Sequence, residues 1–119
     1  MSSPAVIDPQ AIENLRALNP GYNDAFVREI TGIFLEDTPQ RIAELDQCLA
    51  AGDTAKFTRA AHSIKGSSAN LGALALLAVA QQLEERARKE GLAGVTALLA
   101  SLKLEFGRAQ AELGRLFPA

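Results

Sequence analysis

The sequence has a single cysteine and a single histidine, no surplus of basic residues, no long apolar run and no alternating apolar pattern. Each shortage excludes something. Cys48 has no partner for an internal disulfide and no companion at metal-ligand spacing, which argues against a disulfide framework or zinc site and fits a reducing compartment. With 12 basic against 14 acidic residues and a net charge of -2, the chain lacks the positive excess that nucleic acid or an anionic membrane attracts. Met1 to Pro20 shows no basic start followed by an apolar stretch, so no signal peptide is expected. The longest apolar run, Leu71 to Ala80, is about half of the ~20 residues a membrane span needs. A soluble, cytoplasmic protein is predicted, and the lack of strand-like alternation or internal repeats leaves helices as its material.

What is present is a chain of 119 residues, 48% hydrophobic, enough for one domain with one core spanning residues 1–119. Met1 to Ile7 reads as a loose lead-in. Asp8-Pro9 then offers an N-cap followed by proline at the first helical position, and a short helix over about 9–18 carries Ile12, Leu15 and Leu18 at helical spacing before Asn19-Pro20-Gly21. Asn23 or Asp24 can cap a second helix, about 24–50, built on Phe26, Ile30, Ile33, Phe34, Ile42, Leu45 and Leu49. Pro39 falls inside it and either kinks it or splits it; the polar segment Glu36-Asp37-Thr38 makes a poor separating loop, so one kinked helix is expected. Asp53 caps a third helix, about 54–70, which ends at Asn70-Leu71-Gly72. A fourth, about 73–90, carries Leu76, Val79, Ala80, Leu83 and Ala87 and closes with Arg86, Arg88 and Lys89 before Gly91. The fifth, about 93–116, has the stripe Val95, Leu98, Leu99, Leu102, Phe106, Ala109, Leu113 and Leu116, with Gly107 and Gly114 loosening its far end. Short connections between long amphipathic helices predict an all-α, antiparallel, up-down-up-down four-helix bundle, capped at one end by the short first helix.

The third helix presents two unlike faces. Phe57, Ala61, Ile64, Ser68 and Leu71 share one stripe, which must face the core. At roughly 100° per residue, His62 lies about 140° from the centre of that stripe and points outward. Its neighbours within a turn are Thr58, Arg59, Lys65 and Gly66, and they leave the ring open. A glycine inside a helix is costly, and beside an exposed imidazole it suits the close approach of another molecule. A lone surface histidine is most often only solvated, as are charges such as Arg59 and Lys65. Against that reading stand the glycine, the small flanking residues and Lys65, three residues on, within reach of an anion held on the ring.

A neutral imidazole is a competent nucleophile toward phosphorus and can accept a phosphoryl group. Catalysing that transfer requires a metal ion, and no carboxylate shares the outer face of this helix within a turn of His62. The chain therefore reads as half of a reaction, with metal and acidic ligands on a partner. Histidine metal clusters and a Ser-His-Asp triad find no partners here, and Gly66-Ser67-Ser68 resembles a phosphate loop in composition only, since it sits inside a helix.

The run His62-Ser63-Ile64-Lys65-Gly66-Ser67-Ser68-Ala69-Asn70-Leu71-Gly72-Ala73 resembles the signature of histidine-containing phosphotransfer (HPt) domains of multistep phosphorelays. The likeness extends through Phe34-Leu35-Glu36-Asp37-Thr38-Pro39 and Ala51-Gly52-Asp53 upstream and Leu83-Glu84 downstream. It implies a phosphocarrier without kinase or phosphatase activity of its own. His62 would take a phosphoryl group on Nε2 from the aspartate of one receiver domain and pass it to another, with Lys65 holding the group and Gly66 admitting the receiver. Ser67 and Ser68 would support the local geometry. A residue of the following helix would orient the imidazole, with Glu84 as the candidate and Gln81 in reserve. The implied partners are response-regulator receiver domains and a hybrid sensor histidine kinase; no cofactor is implied on this chain, and Mg2+ is expected on the receiver. Two other readings stay open: a phosphoacceptor and dimerisation fragment of a histidine kinase, and a helical binding module with an inert His62. Ser63, where such kinases usually carry an acidic residue, and the chain's end at Ala119 argue against the kinase fragment, which must be a dimer; the HPt reading predicts a monomer.

Overall fold

The computed structural model describes residues 4–21 and 24–118. Five helices follow in order: α1 (Pro9–Leu18), α2 (Ala25–Ala51), α3 (Thr54–Leu71), α4 (Leu74–Glu90) and α5 (Thr96–Leu116), with no strand among the described residues. α3 packs most extensively against α4 and then α2, while α5 closes the bundle against α4 and α2. α1 lies against α2 and α3. None of the described helices is long and apolar enough to cross a membrane.

Local chemistry sets the ends. The Asp8 side chain accepts from Gln10 N–H with Pro9 at the first helical position, and Asp53 accepts from Lys56 N–H. Gly52 and Gly72 terminate α2 and α3 in the left-handed conformation. Asp24 breaks the expected pattern: its carboxylate takes Arg16 Nε at 3.0 Å and Nη2 at 3.1 Å, tying α1 to α2 instead of capping α2. The alternative cap, Asn23, lies outside the described residues. α5 starts at Thr96, later than expected, because Gly91–Gly94 form a turn in which both glycines have positive φ. It then runs unbroken through Gly107 and Gly114. Likewise α2 passes through Pro39 as one helix, without the backbone N–H that Pro39 lacks.

The core stripe of α3 is Phe57, Ala60, Ala61, Ile64, Ser68 and Leu71. Its large members are fully buried, each contributing about 1.5–3 kcal/mol of hydrophobic stabilisation. On α2 the buried stripe is Val27, Thr31, Phe34, Thr38, Leu45 and Cys48, so Ile33 faces solvent with 56% of its surface exposed. Thr31 Oγ1 is buried with no hydrogen-bond partner. Leu18 is also exposed, because α1 turns only Ile12 and Leu15 inward. Of the expected loose lead-in, residues 1–3 lie outside the described residues, and the part from Ala5 on is tied down. Ile7 is buried, the Ala5 carbonyl accepts from Ala75 N–H at 2.9 Å, and Asp8 N–H donates to the Gly72 carbonyl at 2.8 Å. These bonds satisfy backbone groups at the α3–α4 corner that helix ends otherwise leave unpaired.

Candidate functional site

Two adjacent helices build the site. α3 carries His62 and Lys65 on the turn opposite its buried stripe, and α4 brings Glu84 up beside them. His62 is 65% exposed, while Glu84 is 5% exposed although it is charged. The reason is its place on α4, one residue beyond fully buried Leu83 and at the edge of the α3–α4 seam.

A carboxylate taken out of water must be paired. Glu84 has three partners: Lys65 Nζ lies 2.7 Å from Oε1, Arg88 Nη2 lies 2.7 Å from Oε2, and His62 Nδ1 lies 2.8 Å from Oε2. Burial pushes the Glu84 carboxyl up, but the hydrogen bonds from Lys65 and His62, with their charges, outweigh it and hold the group below the ordinary carboxyl range. It is therefore ionised at neutral pH and can only accept hydrogen bonds. It follows that His62 Nδ1 carries a proton and donates it to Oε2, leaving the lone pair of the neutral ring on Nε2, at the other side of the ring from Glu84.

Gly66 is exposed inside α3, and a Cβ built on it would meet nothing within 4 Å. The fold itself has no steric need for a glycine there. The hydroxyls of Ser67 and Ser68 turn back along the helix, to the Ser63 carbonyl at 3.1 Å and the Ile64 carbonyl at 2.6 Å, and do not approach the ring. Ser68 belongs to the buried face. Gln81 is exposed and its amide donates to Glu85 at 3.4 Å, leaving Glu84 as the group on the imidazole. Arg88 was assigned from sequence only to the basic last turn of α4. The signal for its place in the site is its spacing four residues after Glu84, which brings the two side chains together on one helix face.

Beside this cluster a groove of about 500 Å³ runs between α2 and α3, lined by Arg41, Lys56, Arg59 and Ser63 among others; His62 is not part of its wall. The imidazole is largely exposed, so a reaction at Nε2 would need walls from another molecule. No group of three or more His, Cys, Asp or Glu among the described residues is placed to hold a metal ion.

Residues 29–112 match the family model described as Hpt domain. Over 115 residues the chain is 29% identical to histidine-containing phosphotransfer protein 4 of Arabidopsis thaliana, covering 95% of this chain and 90% of that protein. Its structure is similar to the crystal structure of histidine-containing phosphotransfer protein B of Pseudomonas aeruginosa PAO1, with a TM-score of 0.86, 27% identity and 95% of each chain covered.

Proposed function

Since this chain belongs to the Hpt domain family and is a phosphotransfer protein of a phosphorelay, we propose that His62 is its phosphoacceptor. The observation that carries the assignment is an exposed imidazole whose Nδ1 is held 2.8 Å from buried Glu84. That contact puts the reactive lone pair on the outward nitrogen.

In the proposed step the Nε2 lone pair attacks the phosphorus of an aspartyl phosphate on a receiver domain. The N–P bond forms as the P–O bond to the aspartate breaks, and that electron pair leaves with the aspartate carboxylate. The ring gains positive charge, Nδ1 keeps its proton, and the Glu84 carboxylate stabilises the resulting imidazolium. Transfer to a second receiver is the same step reversed. Lys65, three residues on from His62 and 2.7 Å from Glu84 Oε1, would act as a point cation for the phosphoryl oxygens, and Gly66 would leave room for the receiver backbone. The receiver would bring the Mg2+ and its acidic ligands. On this reading the chain is a monomeric cytoplasmic phosphocarrier between a hybrid sensor kinase and response regulators, with no kinase or phosphatase activity of its own.

The test mixes the protein with a receiver domain phosphorylated by a small-molecule donor. The expected product carries acid-labile, base-stable phosphate, and His62→Gln removes it. Absence of label on the wild-type chain, or its persistence in His62→Gln, overturns the assignment.

A further inference from the structure

On each of the five helices a cation is held by a carboxylate of this chain, as for Arg16, Arg41, Lys65, Arg88 and Lys103. Among the described residues, the side chains of Lys56 and Arg59 have no such partner. Both are exposed, they stand one turn apart on α3, and both line the groove of about 500 Å³ between α2 and α3. Unmatched positive charge is thus gathered on one wall of a cavity whose size falls within the range that small ligands occupy.

The acids of the groove do not neutralise that wall. Glu44, on the α2 side, accepts from Arg41 Nη1 at 2.8 and 3.0 Å, and Asp53 accepts from the Lys56 backbone N–H at 3.1 Å. Between the walls lie Cys48 and Ala60, both buried and both small, which leaves an apolar floor where larger side chains would fill the space. Burial and the charges of Asp53 and Glu44 push the Cys48 thiol up, against the pull of Lys56 and Arg59, so the floor stays uncharged while both cations act on it. Gln47, on the α2 rim, offers an amide donor and an acceptor.

Two cations one turn apart match a phosphate monoester, which carries about −1.5 to −2 at neutral pH; a single carboxylate would leave one of them unmatched. The arginine fork can bond two phosphate oxygens while the lysine supplies a point charge. The apolar floor and the amide beside it suit an organic body with a planar, hydrogen-bonding ring. We propose that the α2–α3 groove is a binding site for a small organic phosphate monoester of mononucleotide size, with Lys56 and Arg59 on the phosphate and the ring over Cys48 and Ala60 beside Gln47. His62 is not in the wall of the groove and the ligand is bound without reacting, so the site is independent of the phosphotransfer reading.

The experiment titrates the full, unphosphorylated chain with adenosine monophosphate, adenosine and inorganic phosphate, followed by amide NMR shifts and by the rate at which iodoacetamide alkylates Cys48, the only thiol in the chain. Adenosine monophosphate should bind with a dissociation constant below about 1 mM, shift the groove residues and slow the alkylation. Adenosine and inorganic phosphate should each bind at least about tenfold more weakly, and Lys56→Met and Arg59→Met should each weaken the monophosphate by about tenfold. Lys89→Met, which removes another exposed cation from the separate cleft between α4 and α5, should leave binding unchanged; circular dichroism checks that each variant folds. Absence of saturable shifts in the groove, inorganic phosphate binding as tightly as the monophosphate, or an equal loss in Lys89→Met overturns the proposal.

Discussion

Replacing Gly66 should make the protein more stable and a worse phosphoacceptor, two effects of opposite sign from one side chain. Gly66 lies in the interior of α3 with ordinary helical backbone, and an added Cβ meets no atom within 4 Å. Gly66→Ala should then recover the helix propensity that glycine forfeits, about 0.8–1 kcal/mol. For a domain of this size that raises the melting temperature by about 3–5 °C. Side chains on a helix lean toward its N-terminus, so a residue at position 66 covers the turn that carries His62, with the two Cβ atoms ~5–6 Å apart. A methyl group there trims the space beside the imidazole, and the branched tip of leucine fills it. Gly66→Leu should fold normally and lose about 100-fold in transfer rate, as for a reacting group displaced by about an ångström, with Gly66→Ala in between. Thermal melts followed by circular dichroism and rapid-quench transfer from a phosphorylated receiver measure the two effects separately. A Gly66→Leu variant that transfers at the wild-type rate refutes the close-approach argument, and a Gly66→Ala variant that melts lower refutes the reading of an unobstructed helix face.

Gly72 is the opposite case: its φ is +68°, and a Cβ would sit 2.5 Å from Ala11 Cβ and 2.9 Å from Asp8 Cβ. Gly72→Ala should cost about 2 kcal/mol or more in denaturant unfolding, and a cost below half that contradicts the packing of α1 on the α3–α4 corner. Thr31→Val removes a buried hydroxyl without a partner and should add about 1 kcal/mol of stability; a loss would mean that Oγ1 is satisfied in solution. Because Glu84 is held below the ordinary carboxyl range when folded, it contributes stability above that range and loses it as pH falls through the lowered folded-state value. The stability difference between wild type and Glu84→Gln should therefore move in favour of Gln on acidification, and a pH-independent difference removes the ionised-Glu84 argument.

Much of α3 could be read directly from its residues. Phe57, Ala61, Ile64, Ser68 and Leu71 leave only one possible core face, and that face throws His62 outward. α2 was less legible because its first turns are apolar on several sides at once: Phe26, Val27, Ile30, Ile33, Phe34 and Leu35 permit more than one helical phase. The phase adopted buries Thr31 and Thr38 and exposes Ile33, a choice made by the neighbouring helices and not by the hydropathy of α2 itself. Asp24 likewise looks like a cap in one dimension, but Arg16 claims its carboxylate once α1 folds back. At the site, no spacing rule connects His62 to Glu84 across two helices; the family resemblance named Glu84, and the packing of α4 on α3 brings it to 2.8 Å. Arg88 stands four residues after Glu84, but its place beside the imidazole depends on Glu84 being turned into the α3–α4 seam, which the packing of the two helices decides.

On the proposed reading, the pairing of His62 with Glu84 also limits how this chain can be divided. In the proposed reaction the nucleophile belongs to one helix and the carboxylate that contacts its ring belongs to the next, so neither helix would be a functional module by itself. A graft of α3 alone into another bundle would carry the histidine but leave its tautomer to whatever residue the host places across the seam. The smallest transplantable unit is the α3–α4 hairpin, Thr54–Glu90, with Glu84, Lys65 and Arg88 moving together. A chimera that preserves this hairpin and exchanges α1, α2 and α5 around it would, on the proposed reading, keep the chemistry of His62.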